Sequence, residues 1–339
     1  MSVKLCENPE YGFAVGRVRA LETALLDRGR YDRLIRTRSV MEFVSALAET
    51  SYSRFASGDD RGDAGRAFVA AAEENFAFFR RYLLDVWLLD LFRLQADIHN
   101  LKVIIKRRLI DEAPSAEGLL NYGRWSNSEL STIAAGEHSD LPLVAGAVRR
   151  LLADFELTRD PAGIDSAVDQ LGQALALDMA RPSDFMTGYF RLHADLENLR
   201  TLVRVRLFAQ DREGGGSRDV FSRALLPGGS LTPGHLTVLV SDEWDALVGR
   251  FASSPFRQYL EEGVASALRQ RSLLRMERLG RELELLFLRQ ARYATFGYEP
   301  LVTFFMLQQN ELRNLRLLYA AKQASLPDEQ TQELVAYVN

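Results

Sequence analysis

Three acidic residues in this chain are each followed, at one fixed spacing, by an asparagine and then by a basic residue. The sets are Asp97, Asn100 and Lys102; Asp195, Asn198 and Arg200; and Glu311, Asn314 and Arg316. Three carboxylates gathered in one pocket with raised pKa values could perform acid–base catalysis, so these acids are the first candidates for chemistry. A base five residues after each acid favours a plainer hypothesis, in which acid and base form an ion pair.

The sequence carries none of the short motifs that mark familiar catalytic sites. It has no GxxxxGK phosphate-binding loop, no HExxH zinc motif and no GxSxG nucleophile turn. Cys6 is the only cysteine, which excludes a CxxC metal motif and an internal disulfide. His99 and His193 stand where the other copy of their stretch has a different residue, so they are poor candidates for a shared role. The sequence therefore predicts no active site, no cofactor, no metal and no direct nucleotide binding.

The candidate residues lie in a stretch that occurs three times. FRLQADIHNLKVIIKRRL (92–109) is repeated as FRLHADLENLRTLVRVRL (190–207), and ELRNLRLLYAAK (311–322) is a fainter third copy. In the first two copies apolar residues recur at steps of three and four, which predicts amphipathic helices. A buried amide beside the apolar stripe needs partners, because leaving it unpaired costs about 1–3 kcal/mol. We interpret each acid and asparagine as a tie to a neighbouring loop or helix; a threefold ring of binding sites is the alternative.

A second repeated element follows the first two copies. LLNYGRWS (119–126) corresponds to LLPGGSLT (225–232), with the glycines and the second leucines aligned. Each contains a glycine turn and ends in a hydroxyl residue, Ser126 or Thr232, which is a residue type that caps helices. The element therefore predicts a turn and then the start of another helix.

Together the repeats predict an all-α chain of three similar helical units. The copies are spaced by roughly 100 residues, which is a usual size for a folding unit. We place the units at residues 1–114, 115–216 and 217–339. No stretch sustains the alternation of a β-strand.

Composition narrows the possible partners and location. The chain has 42 lysines and arginines against 46 acids and a net charge of −4, which gives no support for nucleic-acid binding. No run of roughly 18 apolar residues is present, so we expect no membrane-spanning helix. The N-terminus lacks the apolar core of a signal peptide, and one cysteine fits a cytosolic protein.

Several motifs in a fixed order resemble the C subunit of bacterial and archaeal V/A-type ATPases, which is similar to the d subunit of the eukaryotic vacuolar enzyme. They are YGFAVGRVRALETALL at 11–26, a hydroxyl–spacer–tyrosine at 50–52, the LLxxG turns and the repeated acid–asparagine pattern. The resemblance covers about residues 9–325. The third copy departs from the pattern, because Gln308 and Gln323 are polar at stripe positions, and we expect its helix to pack differently.

The resemblance implies both a fold and a role. Members of that family form an all-helical funnel of three similar domains around a pseudo-threefold axis. Such a member caps the membrane rotor ring and receives the foot of the central shaft, so that it transmits torque for ion transport or ATP synthesis. The implied partners are the central-stalk shaft subunits and the rotor-ring subunits. The implied location is the cytoplasmic face of the membrane, bound peripherally, with no catalysis by the chain itself.

Two hypotheses from other classes stand beside this one. The first is a helical repeat scaffold or adaptor protein unrelated to ion transport, although solenoid repeats are usually about 20–45 residues long. The second is a helical enzyme that uses Asp97, Asp195 and Glu311. A pull-down from detergent-solubilised membranes separates the classes, because only the ATPase hypothesis predicts recovery of rotor and head subunits.

Overall fold

The structure, a computed structural model, describes residues 4–53, 64–110, 115, 117–137, 140–208 and 216–337. Within these ranges the regular elements are helices and no strand forms, which confirms the all-α prediction. None of the helices in these ranges combines the length and the apolar character that crossing a bilayer requires.

The described ranges contain sixteen α-helices. In chain order they are α1 (Gly12–Glu22), α2 (Arg28–Ile35), α3 (Val40–Leu47), α4 (Ala64–Tyr82), α5 (Val86–Leu109), α6 (Asn127–Ala134), α7 (Pro142–Thr158), α8 (Pro161–Met179), α9 (Asp184–Phe208), α10 (Ser217–Ala224), α11 (Pro233–Leu239), α12 (Trp244–Arg250), α13 (Arg257–Gln270), α14 (Leu274–Leu288), α15 (Glu299–Gln323) and α16 (Asp328–Leu334). Short 3₁₀ helices lie at Pro9–Tyr11 and Arg289–Tyr293.

The chain packs as two compact units. The split unit combines Met1–Leu84 with Val248–Asn339, and the central unit is Asp85–Leu247. The predicted boundary after residue 114 adjoins residues 111–114, which lie outside the described ranges, and the boundary after residue 216 coincides with the start of α10. The compact units divide the chain at other positions and do not test for internal similarity, so the division into three similar units stays a prediction.

In the split unit, α15 is the central helix. It packs against α1, α3, α4 and α16. The rings of Phe79 on α4 and Phe305 on α15 stack with their centroids 4.5 Å apart. The core around the third sequence copy includes Tyr31, Phe43, Phe68, Leu312, Leu315 and Val335. The third copy is therefore a buried helix whose apolar residues hold both ends of the chain together.

In the central unit, α8 packs against α5, α7, α9 and α10. The core on the α5 side includes Leu101, Ile105, Ile133, Val148 and Val168. Leu101 and Ile105 belong to the apolar stripe that the periodicity predicts, and both are fully buried. Because this stripe faces the core, Asp97 and Asn100 beside it on α5 also face the interior.

Local sequence signals set the starts of the short helices. The Ser126 hydroxyl accepts a hydrogen bond from the Glu129 N–H at 3.2 Å. The Thr232 hydroxyl accepts one from the His235 N–H at 3.4 Å. These contacts confirm the predicted caps of α6 and α11, since each hydroxyl satisfies a free N–H of the first turn.

Candidate functional site

Six of the nine motif residues are buried on three helices. They are Asp97 and Asn100 on α5, Asp195 and Asn198 on α9, and Glu311 and Asn314 on α15. None of them has more than 5% of its surface exposed. Since buried polar side chains are almost always hydrogen-bonded, their partners decide what the motif does.

The first pair binds the glycine turn that follows α5. The Asn100 amide donates to the Leu120 carbonyl at 2.8 Å and accepts from the Leu120 N–H at 2.8 Å. The Asp97 carboxylate accepts from the N–H groups of Arg124 at 2.9 Å and Trp125 at 3.1 Å. Asp97 and Asn100, which are one helical turn apart, thereby bind two positions in the loop that follows α5.

The second pair makes the corresponding contacts after α9. The Asn198 amide donates to the Leu226 carbonyl at 3.0 Å and accepts from the Leu226 N–H at 2.7 Å. The Asp195 carboxylate accepts from the N–H groups of Ser230 at 3.1 Å and Leu231 at 2.9 Å. These partners occupy the same places in LLPGGSL as those of the first pair in LLNYGRW, so each helix binds the turn that follows it.

The third pair binds two separate segments, one that follows α15 and one near the start of the chain. The Asn314 amide donates to the Ala336 carbonyl at 2.7 Å and accepts from the Ala336 N–H at 3.3 Å. The Glu311 carboxylate accepts from the N–H of Leu26, 285 residues earlier, and from the Tyr52 hydroxyl at 2.9 Å. The asparagine again clamps the backbone of a single residue, which here belongs to the C-terminal segment of the chain.

All three acids bind the same kind of place, the N–H of the residue directly before a helix cap. The bound residues and the caps that follow them are Trp125 and Ser126, Leu231 and Thr232, and Leu26 and Asp27. The caps open α6, α11 and α2, which have 8, 7 and 8 residues. Each acid therefore fixes the entry of a short helix that has little stability alone.

Two glycines allow the turns to approach the aspartates. A Cβ at Gly123 would collide with the Asp97 carboxylate, and a Cβ at Gly229 would collide with that of Asp195. Only glycine permits this close approach of the backbone. In the loop bound by Glu311, the residue in the equivalent place, two before Leu26, is Ala24.

The three bases take three different partners. Lys102 pairs with Asp169 at 2.6 Å, Arg200 pairs with Glu197, and Arg316 donates to the Phe68 carbonyl at 3.2 Å. These groups are not the acids of the bases' own motifs, so the expected acid–base pairing does not describe the contacts. The bases fasten α5, α9 and α15 in different ways.

Burial sets the electrostatics of the three acids. It raises the pKa of Asp97 and of Asp195, while backbone N–H donors act in the opposite direction. It raises the pKa of Glu311 to about 7, against the hydrogen bonds from Leu26 and Tyr52, which lower it. Glu311 is thus an acid whose protonation changes near neutral pH.

The arrangement is suited to holding backbone rather than substrate. Each acid accepts hydrogen bonds from backbone N–H groups of the same chain. Within the described ranges, no group of three or more His, Cys, Asp or Glu side chains could hold a metal ion. The geometry supports the interpretation of the pairs as structural ties.

The sequence interpretation missed the partners of the third copy. Leu26 carried no signal of its own, because Glu311 binds only its backbone N–H. Tyr52 belongs to the noted hydroxyl–spacer–tyrosine, but its role was not predicted. Ala336 carried none, since only its backbone groups are bound.

A family model and several known proteins match this chain over most of its length, and all of them describe the same kind of subunit. A family model described as ATP synthase (C/AC39) subunit matches residues 14–334. The chain is 23% identical over 350 residues to the C subunit of the A-type ATP synthase from Methanosarcina acetivorans, covering 94% of this chain and 90% of the relative. It is 23% identical over 351 residues to that of Methanothermobacter thermautotrophicus, covering 96% and 88%. It is 20% identical over 359 residues to that of Desulfurococcus sp., covering 97% and 91%.

Proposed function

Because this chain belongs to the ATP synthase (C/AC39) subunit family, we propose that it is a non-catalytic rotor adaptor of a V/A-type rotary ATPase. In this role it links the central shaft to the membrane rotor ring and transmits torque for ion transport or ATP synthesis. The relatives, which are C subunits of A-type ATP synthases, support the proposal because the similarity covers most of both chains.

The observation that carries the mechanical part of the proposal is the set of buried ties. Asn100, Asn198 and Asn314 each satisfy both backbone groups of one residue, and the acid one turn earlier fixes the entry of a short helix. A body that transmits torque must resist bending, and fully satisfied buried polar contacts make a packed helix assembly rigid.

We further propose that the molecule consists of three similar parts around a pseudo-threefold axis, with units at 1–114, 115–216 and 217–339. Support comes from the clamp, which recurs once in each sequence copy with the same atoms. A structure of the assembled rotary complex tests this directly, because Asn100, Asn198 and Asn314 must superpose on one another when the three units are aligned. Unrelated positions for the three asparagines would reject the triplication.

The proposed partners are the central-stalk shaft subunits and the rotor-ring subunits. The proposed place of action is the cytoplasmic face of the membrane, where the chain binds peripherally. A protein between shaft and ring needs two binding surfaces and no bilayer-crossing segment of its own.

The partners can be tested by affinity purification from detergent-solubilised membranes. The tag belongs at the N-terminus, because Ala336 near the C-terminus is buried. We expect shaft and ring subunits to be recovered together with the ATP-hydrolysing head, and an untagged strain is the control. Recovery of unrelated proteins without any ATPase subunit would replace the proposal with a helical repeat scaffold unrelated to ion transport.

A further inference from the structure

The outward side of α1 is apolar. Its exposed residues are Phe13, Gly16, Arg17, Ala20 and Leu21, and Phe13 has 72% of its surface exposed. The outer face of a helix in a globular protein usually carries charged and polar side chains. Arg17 is the one charged residue among the exposed residues of α1, so this face has the composition of a binding surface and not of one that meets only water.

The end of α4 extends this apolar surface. The Tyr11 hydroxyl accepts a hydrogen bond from the Leu84 N–H at 2.9 Å, which fixes the end of α4 beside the start of α1. The ring centroid of Tyr82 lies 6.1 Å from that of Phe13 and 4.8 Å from that of Phe78. Leu84 is 51% exposed. The two helices therefore present one continuous group of aromatic and aliphatic side chains.

Two exposed arginines lie beside these rings. The guanidinium carbon of Arg17 lies 6.0 Å from the ring centroid of Phe78 and 5.6 Å from that of Tyr82, and that of Arg81 lies 5.7 Å from that of Tyr82. In the part of the chain that the structure describes, neither arginine forms an ion pair with a carboxylate. The stretches 11–21 and 76–84 contain no acid. A guanidinium that lies over a ring keeps its charge and the N–H groups at its edge.

We propose that this α1–α4 patch, formed by Phe13, Arg17, Phe78, Arg81, Tyr82 and Leu84, binds the surface of an anionic lipid membrane. Phe13 and Leu84 enter the headgroup region, and the two arginines bind lipid phosphates. Exposed aromatic and aliphatic side chains beside arginine are the combination that holds a protein at a membrane surface. The cytoplasmic leaflet carries anionic lipids that attract arginine, so the charge of the patch complements this surface.

The inference rests on the peripheral membrane location proposed above and adds a contact with lipid to it. The test is co-sedimentation of the purified chain with phosphatidylcholine vesicles that contain or lack phosphatidylglycerol. The variant Arg17→Gln/Arg81→Gln removes the two charges, and Phe13→Gln/Leu84→Gln removes the two most exposed apolar side chains. Circular-dichroism melting of each variant shows whether it folds like the parent.

Each patch variant has a matched control. Arg80→Gln/Arg269→Gln removes two charges from exposed positions outside the patch. Arg80 is two residues after Phe78 and therefore lies on the other side of α4. Met41→Gln/Leu157→Gln makes the same apolar-to-polar change at exposed positions on α3 and α7.

We expect the parent to bind vesicles that contain phosphatidylglycerol, and to bind them less tightly as salt rises. Each patch variant should bind about tenfold more weakly, since it loses either the charge or the apolar part of the contact. Both controls should bind like the parent. Vesicles of phosphatidylcholine alone should bind the parent about as weakly as the arginine variant binds the anionic vesicles.

Two results would overturn the lipid proposal and leave the adaptor role intact. The first is a parent that does not bind anionic vesicles, and the second is equal binding by the parent and the folded patch variants. A parent that binds stripped native membranes through the patch, but binds no protein-free vesicle, identifies a protein as the occupant and also overturns the lipid proposal. Failure of the adaptor role appears elsewhere, as an affinity purification that recovers no ATPase subunit.

Discussion

An asparagine side chain can satisfy both backbone groups of one residue, because its amide donates to the carbonyl and accepts from the N–H. Asn100, Asn198 and Asn314 use this property three times. A leucine of similar size would fit the apolar surroundings but would leave a backbone N–H and a carbonyl without partners. The free-energy cost of such a substitution therefore comes from the two unpaired backbone groups and not from a lost side-chain contact.

Replacing Asn100 or Asn198 with leucine should destabilise the protein by about 1–3 kcal/mol, because Leu120 or Leu226 loses both of its partners. Urea unfolding followed by circular dichroism measures the change. Asn121→Leu, at an exposed position in the first glycine turn, is the control and should lie within about 0.5 kcal/mol of the parent. Variants that unfold like the parent would mean that these amides are not essential ties.

Glu311 gives a prediction about pH. Its pKa in the folded protein is about 7, against an ordinary value of 4.5. The folded state holds this proton more tightly than the unfolded chain does. Its contribution to stability is therefore fully present below the ordinary pKa and is lost as the pH rises through the folded pKa.

The variant Glu311→Gln keeps the shape of the protonated acid but cannot titrate. Between about pH 5 and pH 8, its free energy of unfolding should fall less than that of the parent, by on the order of 2 kcal/mol. Urea unfolding at a series of pH values measures the difference. Glu329→Gln, at an exposed position on α16, should follow the parent. Parallel curves for parent and Glu311→Gln would show that Glu311 does not change its protonation in this range.

At the scale of elements, the repeated unit is a long helix that holds the entry of a short capped helix. In the central unit the partner is a glycine turn of the same local sequence, so helix and turn are separated by only 20 residues in the first copy and 28 in the second. In the split unit two segments take the place of that turn: Glu311 binds the loop before α2, and Asn314 binds the C-terminal segment.

The two glycine turns give a prediction about close approach. Gly123→Ala or Gly229→Ala should destabilise by about 1–3 kcal/mol, because the new methyl group displaces the carboxylate of Asp97 or Asp195. Gly163→Ala, on α8 with open space around it, is the control and should be neutral or slightly stabilising. Thermal unfolding of the three variants provides the comparison. Equal effects at all three glycines would remove the steric argument.

The C-terminal segment gives a prediction about the third tie. Truncation after Leu334 removes the Ala336 groups bound by Asn314, together with the ring of Tyr337, which stacks on Tyr31 with centroids 5.4 Å apart. We expect a loss of at least about 2 kcal/mol in urea unfolding, since buried contacts and hydrogen bonds disappear together. Gln330→Ala, an exposed change on α16, controls for general effects at this end. A truncated chain as stable as the parent would show that the segment is not part of the fold.

Local and periodic features of the fold could be predicted from the sequence. The apolar stripe places Leu101 and Ile105 in the core, and the residue types and positions of Ser126 and Thr232 identify them as helix caps. Contacts made by backbone groups could not be predicted in this way. Nearly every residue has an N–H and a carbonyl, so the residue type does not indicate which of these groups will be bound. The tie between Glu311 and Leu26, 285 residues apart, depends on such a group.

At the scale of the whole molecule, we propose a rigid helical body that joins two moving parts and has no chemistry of its own. The three acids and the three asparagines of the repeated motif all hold backbone groups of the same chain. The family match over residues 14–334 shows that the chain belongs to the ATP synthase (C/AC39) subunit family, which supports this proposal. Its loss should therefore separate ATP hydrolysis from ion movement and leave hydrolysis itself in place.

The most direct test of this central claim measures ATP-driven ion transport beside ATP hydrolysis in membranes depleted of this chain. We expect hydrolysis by the head to persist and transport to be lost, because the shaft no longer grips the ring. Adding back the wild-type protein should restore transport without a matching rise in hydrolysis, and the purified protein alone should hydrolyse no ATP. Transport that survives complete depletion would contradict the rotor-adaptor role.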